Sequence, residues 1–469
     1  MATETKPVEA KKRPINRLRT VYALRNMLDE QYTSAQEGAK EGKPVAWCMA
    51  EAFASNFLNA MDVESIYTEN YATRCGATGI AWQPGGYIDR SGTEGFPPTL
   101  CNYATNCFGY TSRMVHELNG EIPPEAPSGG MPKPALLVGS CGGSCDARYK
   151  WYQAMGRYLD TPVWIMEVGG MGQGSAGREG LDPAYYENEV QFITAHLRDF
   201  VVFLEQLFKK KFNYDKFEKS LDDTIEMNRT WYGITDELRK ARPCPMNARD
   251  HYSAMNMSLF RANDPKAANE LFTNMREEVL YRIENKIAGI NYPEKYRASF
   301  QGLGPWHGLS LFDRLAERSW NFPREGYHPP DPIDVSWVKD PIERLVRYRR
   351  RSLPWQIENS FPDPKEAEEV REEFRKTGAS DKLAVVDARD YQIDGVILHT
   401  ALTCRMTSCR TGMTQQQLMK VYKVPSLLVF GDMVDSRVFN LEDFLRRAEA
   451  FEETMDHFKE ERKKIGLAW

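Results

Sequence analysis

Nine cysteines in 469 residues are the groups with the most chemistry to offer. Three of them share a local context. Cys145 follows the apolar run Ala135-Leu136-Leu137-Val138 and a Gly/Ser-rich break at 139–144, and the pattern predicts a helix from about Asp146. Cys101 opens a predicted helix, CNYATNCFGYTSRMVHELNG, after a loop rich in Gly and Pro. Cys404 follows the run Val396-Ile397-Leu398 within ILHTALTCRMTSC. A helix start offers unpaired backbone N–H groups and the positive end of its dipole, which favour a thiolate. Thiolates suit zinc or an iron–sulfur cluster, and a cluster held by three of them keeps one iron open. Spacing alone leaves two readings standing, because there is no CxxC pair and a buried cysteine is also an ordinary small apolar residue. Cys141, four residues before Cys145, rivals it as a ligand. Cys107 lies on the predicted helix of Cys101, and Cys409 is five residues past Cys404. Cys48, Cys75 and Cys244 read as packing residues.

The elements that must position these groups alternate strand and helix. Pro44–Met49, Val63–Tyr67, Pro134–Val138 and Pro162–Val168 read as strands separated by helices, and the pattern returns at Tyr296–Gly302, Gly395–Thr400 and Pro425–Phe430. The expected fold is α/β, with two doubly wound (Rossmann- or flavodoxin-like) parallel-sheet domains joined by a helical region. The expected divisions are a tail at 1–16, an N-terminal α/β domain at 17–184 with Cys101 and Cys145, helices at 185–290, and a C-terminal α/β domain at 291–469 with Cys404. Gly79–Pro98 and Leu402–Arg410 read as loops, and YHPPDP at 327–332 as a rigid turn. Such sheets place ligands beyond the carboxyl ends of their strands, so two facing domains could gather the three sulfurs in one cleft.

Composition narrows the function. The formal charge of −5 gives no basic bulk for nucleic acid, and Lys209-Lys210-Lys211 and Arg349-Arg350-Arg351 read as solvated helix faces. No apolar h-region begins the sequence and no run approaches a membrane span, so no export signal and no membrane segment are expected. Nine cysteines without export signals point to a reducing cytoplasm. The glycines at 169–174 lack a strand–GxGxxG–helix setting and read as a mobile loop, a candidate lining of a ligand entrance. No GxxxxGK[ST] occurs, so any ATP used is hydrolysed on another chain. His399 at a strand end and His307 in GPWHGL are candidate proton donors, although a lone histidine is more often a hydrogen-bonded structural residue.

Three segments together resemble the family of 2-hydroxyacyl-CoA dehydratases and ATP-dependent benzoyl-CoA reductases: CNYATNCFGY; LLVGSCGGSCDARYKWY with TPVWIMEV; and DGVILHTALTCR with VPSLLVFGDMVD. Within it, PINRLRTVYALRNM, IPPEAPSGGMPKP, RPCPMNARD and AFEETMDH look like the O-type (bzd-type) catalytic subunit of the reductases. The resemblance implies a [4Fe-4S] cluster bound by Cys101, Cys145 and Cys404. Cys145 is preferred to Cys141 because the family's cysteine stands just before the Lys150-Trp151 of the following helix. The resemblance also implies an acyl-CoA substrate, benzoyl-CoA by the nearest likeness, reduced to a cyclic dienoyl-CoA by single-electron steps. It further implies a sister catalytic subunit, ATP-hydrolysing activator subunits and a ferredoxin as electron source. YTEN at 67–70 matches a PEN-like motif and makes Glu69 a candidate acid or hydrogen-bond partner of the substrate pocket, the bland alternative being a solvated carboxylate after a strand. Where dehydratases carry serines near the first strand, this sequence has Trp47-Cys48-Met49-Ala50, a departure that counts against dehydration. The same likeness allows an (R)-2-hydroxyacyl-CoA dehydratase subunit, or a subunit that only relays electrons.

Overall fold

Two parallel four-stranded sheets set the architecture of the computed structural model, which describes residues 13–49, 53–141, 145–167, 177–260, 263–325, 331–467 and 469. The first sheet comprises β1 (Val45–Cys48), β2 (Glu64–Tyr67), β3 (Leu136–Cys141) and β4 (Val163–Glu167), in the order β2-β1-β3-β4. The second comprises β5 (Tyr296–Gln301), β6 (Trp320–Glu325), β7 (Gly395–Ala401) and β8 (Ser426–Gly431), in the order β6-β5-β7-β8. The two orders are the same, so β5 to β8 repeat the arrangement of β1 to β4. Register runs Ala46↔Leu136 and Leu137↔Val163 in one sheet, Ala298↔Gly395 and Val396↔Ser426 in the other. The chain is α/β, as its strand–helix rhythm predicts.

Parallel sheets are covered on both faces, which is why their strands read as continuous apolar runs rather than alternating ones. One face of each sheet looks into a shared core, where Trp47 and Leu137 of the first sheet join Phe300, Ile397 and Val429 of the second. The opposite face of the first sheet, with Ala46, Cys48, Leu136 and Val138, packs on the Pro183–Phe208 helix through Val190, Leu197 and Phe200. The Tyr214–Lys240 helix serves both halves: Phe217 and Leu221 pack under the first sheet, Trp231, Ile234 and Leu238 under the second. Among the described residues no helix is long and apolar enough to cross a membrane.

Several elements depart from expectation. The Gly/Pro-rich stretch 79–98 contains a helix, Tyr87–Thr93, whose Tyr87, Ile88 and Ser91 are buried. Tertiary packing overrides the turn-forming composition there. Helices Ala248–Phe260 and Leu353–Ser360 and strand β6 have no counterpart in the sequence reading, and a short helical turn, Arg405–Ser408, interrupts the predicted 402–410 loop. Arg349-Arg350-Arg351 is not a solvated face. All three residues are half-buried; Arg349 and Arg351 lie 5.5 and 5.2 Å from the Tyr348 ring centroid, and Arg350 pairs with Glu189. A planar guanidinium can stack on an aromatic ring, as a strongly hydrated ammonium does less readily; Lys209, Lys210 and Lys211 are exposed. The predicted 169–174 loop and most of the 327–332 turn lie outside the described residues.

Candidate active site

Cys145 and Cys404 occupy matching places. Cys145 follows β3, the third strand of the first sheet, and Cys404 follows β7, the third strand of the second. Cys101 belongs to the long β2–β3 connection, immediately before the Asn102–Ser112 helix. Every residue of that helix is buried. Its small residues allow this: a Cβ on Gly109 would overlap the carbonyl of Tyr87 in the neighbouring helix. The helix can therefore run through the interior and bring its first residues to the carboxyl edges of both sheets.

Polar contacts tie the three cysteine segments together in pairs. The Asn102 amide donates to Thr403 Oγ1 (3.2 Å), linking the Cys101 and Cys404 segments. Asp432, fully buried after β8, accepts from Asn102 Nδ2 at 2.9 Å and from the Thr403 hydroxyl, so one carboxylate grips both. Arg405 pairs with Asp146, linking the residues that follow Cys404 and Cys145. That ion pair is exposed and marks proximity more than stability. Cys145 and Cys404 both lie close enough to Cys101 to disfavour a further negative charge on it.

The thiols are poised between two opposing effects. Burial pushes Cys101 up, while the amides of Tyr103 and Ala104 at the helix start act the other way. Burial likewise raises Cys145; the Arg148 charge and the amides of Ala147 and Arg148 oppose it. Both sulfurs thus have donors aimed at their charged form, yet need a cation to complete the thiolate's stabilisation. A metal supplies that charge. The remaining described cysteines differ. Cys48, Cys75, Cys107 and Cys244 are wholly buried in apolar cores and Cys409 is exposed, whereas Cys101, Cys145 and Cys404 are half-buried at element ends. The Cys141 side chain lies outside the described residues. Among the described residues no three His, Cys, Asp or Glu groups close on a single-ion site. A half-buried, all-sulfur donor set suits zinc or an iron–sulfur cluster.

Glu69 lies just past the carboxyl end of β2, buried, and is held by a two-pronged ion pair from Arg148: Nε to Oε1 at 3.0 Å and Nη2 to Oε2 at 3.1 Å. Arg148 Nη1 also reaches Ser140 Oγ at 3.3 Å. Glu69 and Cys145 consequently share one cation. His399 is placed differently. It is buried on β7, its Nδ1 is 2.6 Å from the Leu303 carbonyl, and desolvation lowers its pKa. His307 Nε2 is 3.0 Å from the Asp432 carbonyl. Trp47, Cys48 and Met49 at the end of β1 are completely buried. The sequence reading passed over Asp432, Thr403, Asn102 and Arg148, although Asp432 sits in GDMVD and Arg148 in CDARYKW.

Residues 53–455 match the family of the 2-hydroxyglutaryl-CoA dehydratase D-component. The chain belongs to this family. It is 23% identical over 460 residues to the (R)-2-hydroxyisocaproyl-CoA dehydratase alpha subunit of Clostridioides difficile, covering 94% of this chain and 96% of that one. It is 23% identical over 336 residues to the (R)-2-hydroxyglutaryl-CoA dehydratase subunit alpha of Acidaminococcus fermentans, covering 71% and 63%. It is 22% identical over 431 residues to a benzoyl-CoA reductase subunit of Thauera aromatica, covering 89% and 90%. Family membership thus agrees with the resemblance carried by the three cysteine segments.

Proposed function

We propose that this chain is the iron–sulfur catalytic subunit of an ATP-dependent benzoyl-CoA reductase, acting on benzoyl-CoA or a close analogue. The observation that supports it most is the tying of three half-buried cysteines, two from one half and one from the other, into one junction by Asn102, Thr403, Asp432, Arg405 and Asp146. Cys101, Cys145 and Cys404 are the proposed ligands of a [4Fe-4S] cluster. When bound, such a group supplies single low-potential electrons and an iron that is open to a further ligand. The chain's own residues do the rest. Arg148 holds Glu69 in place and offsets charge beside Cys145. The buried Trp47 and Met49 keep water from the wall at β1, which limits loss of a reactive species to stray protons. Glu69, ion-paired, anchors Arg148 beside Cys145 rather than serving as a free acid. His399, committed to Leu303, positions that loop. A sister catalytic subunit, an ATP-hydrolysing activator and a reduced ferredoxin complete the proposed enzyme, in the cytoplasm.

A dehydratase subunit is the second reading, and the relatives named as dehydratase alpha subunits favour it. The absence of a serine hydroxyl at Trp47-Cys48-Met49 favours the reductase. The chain is to be purified anaerobically with its sister subunit and activator, then given benzoyl-CoA or an (R)-2-hydroxyacyl-CoA with ATP and a strong reductant. Dienoyl-CoA formation with stoichiometric ATP use is expected. Formation of an enoyl-CoA with catalytic ATP, and no dienoyl-CoA, transfers the chain to the dehydratases.

A further inference from the structure

The repeated strand order draws attention to a residue in the second half. β6 stands in its sheet where β2 stands in the first, and each delivers a buried glutamate to the carboxyl edge: Glu69 just past β2, Glu325 as the last residue of β6. The two differ in their partners. Glu69 is ion-paired to Arg148. Glu325 is 3% exposed, and neither carboxyl oxygen has a hydrogen bond of regular geometry among the described residues. Its neighbour Arg324 pairs with Asp387, with contacts of 3.1 and 2.7 Å, and donates from Nη1 to the backbone carbonyl of Glu325, not to its carboxyl. Tyr252 faces Glu325 and favours its charged form, as does the Arg324 charge, but burial outweighs both and pushes the carboxyl well above the usual carboxylate range. Buried polar groups in native proteins are nearly always hydrogen-bonded, so an acid left like this calls for a ligand or a reaction.

Its location connects it to the cysteine junction. Glu325 pairs in register with Phe300, whose ring packs 5.6 Å from His399 on β7. Tyr252 packs edge-on to Trp306 (5.2 Å), and Trp306 Nε1 donates to the Tyr103 hydroxyl at 2.7 Å. Tyr103 lies two residues past Cys101. We propose that Glu325 is a proton donor to the bound acyl group, the counterpart in the second half of the ion-paired Glu69. Paired carboxyls in contrasting environments are a recurrent way to separate acid from acceptor in one site.

This inference rests on the proposed function. In ring reduction the Glu325 O–H bond breaks and a C–H bond forms at a ring carbon that has received an electron from the reduced iron–sulfur donor protein. The resulting carboxylate takes a proton from solvent before the next turnover. Two electrons and two protons are consumed per ring, of which Glu325 gives one proton. In the dehydratase reading the same proton leaves with the departing hydroxide as water, and the Glu325 carboxylate is reprotonated by the proton that the adjacent carbon gives up as the double bond forms.

Glu325→Gln decides the matter, because the amide keeps the shape and neutrality of the acid but cannot release a proton. We expect the variant complex to keep its iron content and to bind acyl-CoA within threefold of wild type. Its kcat should fall about 100-fold or more, the size of a general-acid contribution, and Glu325→Asp should recover part of the loss. Unchanged kcat in Glu325→Gln overturns the proposal. So does loss of folding or of acyl-CoA binding, which makes the residue structural. Infrared difference spectra of the substrate-free complex give a readout apart from turnover: a protonated-carboxyl band at pH 7 that disappears in Glu325→Gln. Its absence overturns the acid assignment alone, whereas failure of the wild-type complex on both substrate classes overturns the functional reading.

Discussion

At the residue scale, the cysteines separate by environment. Cys101, Cys145 and Cys404 are half-buried at element ends, with backbone amides beside Cys101 and Cys145 and the Arg148 charge beside Cys145, while four others are sealed in apolar cores. Changing Cys101, Cys145 or Cys404 singly to Ser should lower iron and sulfide per anaerobically purified chain and bleach the visible absorption, whereas Cys141→Ser should leave both near wild type. Loss of iron from Cys141→Ser with retention in Cys145→Ser reverses the ligand choice. Arg148 is the next test. Arg148→Met removes the two-pronged ion pair of Glu69, a mostly buried carboxylate, and should cost about 2 kcal/mol, between the values for buried and exposed pairs. Denaturant midpoints measure it, and Glu69→Gln in the same chain should recover part of the loss. The sequence made the cysteines legible because their settings repeat. It did not make Arg148 or Asp432 legible, because their partners Glu69, Asn102 and Thr403 lie far away in sequence and only the fold brings them near.

At the scale of elements, the Asn102–Ser112 helix is the part most sensitive to change. On Gly109→Ala the new Cβ would lie 2.6 Å from the Tyr87 carbonyl carbon. Backbone cannot yield there as a side-chain tip would, so the loss should be about 3 kcal/mol, at the upper end for overpacking. It should be accompanied by iron loss, since the helix carries Cys101; thermal unfolding and iron content check it together. Asp432→Ala tests the grip on the cysteine loops. Far-ultraviolet circular dichroism should stay unchanged while iron retention falls, because the change frees Asn102 and Thr403 without touching either sheet. Strands β1, β3, β7 and β8 were legible because each is a short apolar run bounded by turn residues. β6, WNFPRE, was not: its polar and proline-containing sequence hides an edge strand buried by tertiary packing. The Tyr87–Thr93 helix was hidden for the same kind of reason, since only its contact with a neighbour selects helix over loop.

At the scale of the whole molecule, stability should depend on pH through a buried histidine. His251 is 3% exposed and, chiefly through burial, its pKa falls to about 3. In the unfolded chain it titrates near the ordinary value of about 6.5. Below that pH the unfolded state takes up a proton that the folded state refuses, so this contribution is complete above pH 6.5 and is lost progressively towards pH 3. Between pH 7 and pH 5 the loss should approach about 2 kcal/mol, and His251→Asn should flatten that part of the profile in urea titrations. A profile as steep in the variant as in wild type removes His251 as the cause.

The placing of Cys404 has a consequence for biosynthesis. It is translated after seven of the eight described strands, far behind Cys101 and Cys145. On the proposed ligand set, metallation cannot guide the nascent chain; it must wait until both sheets exist. Each half therefore has to reach its shape on hydrocarbon packing alone, and the machinery that delivers iron and sulfide must recognise an already folded client.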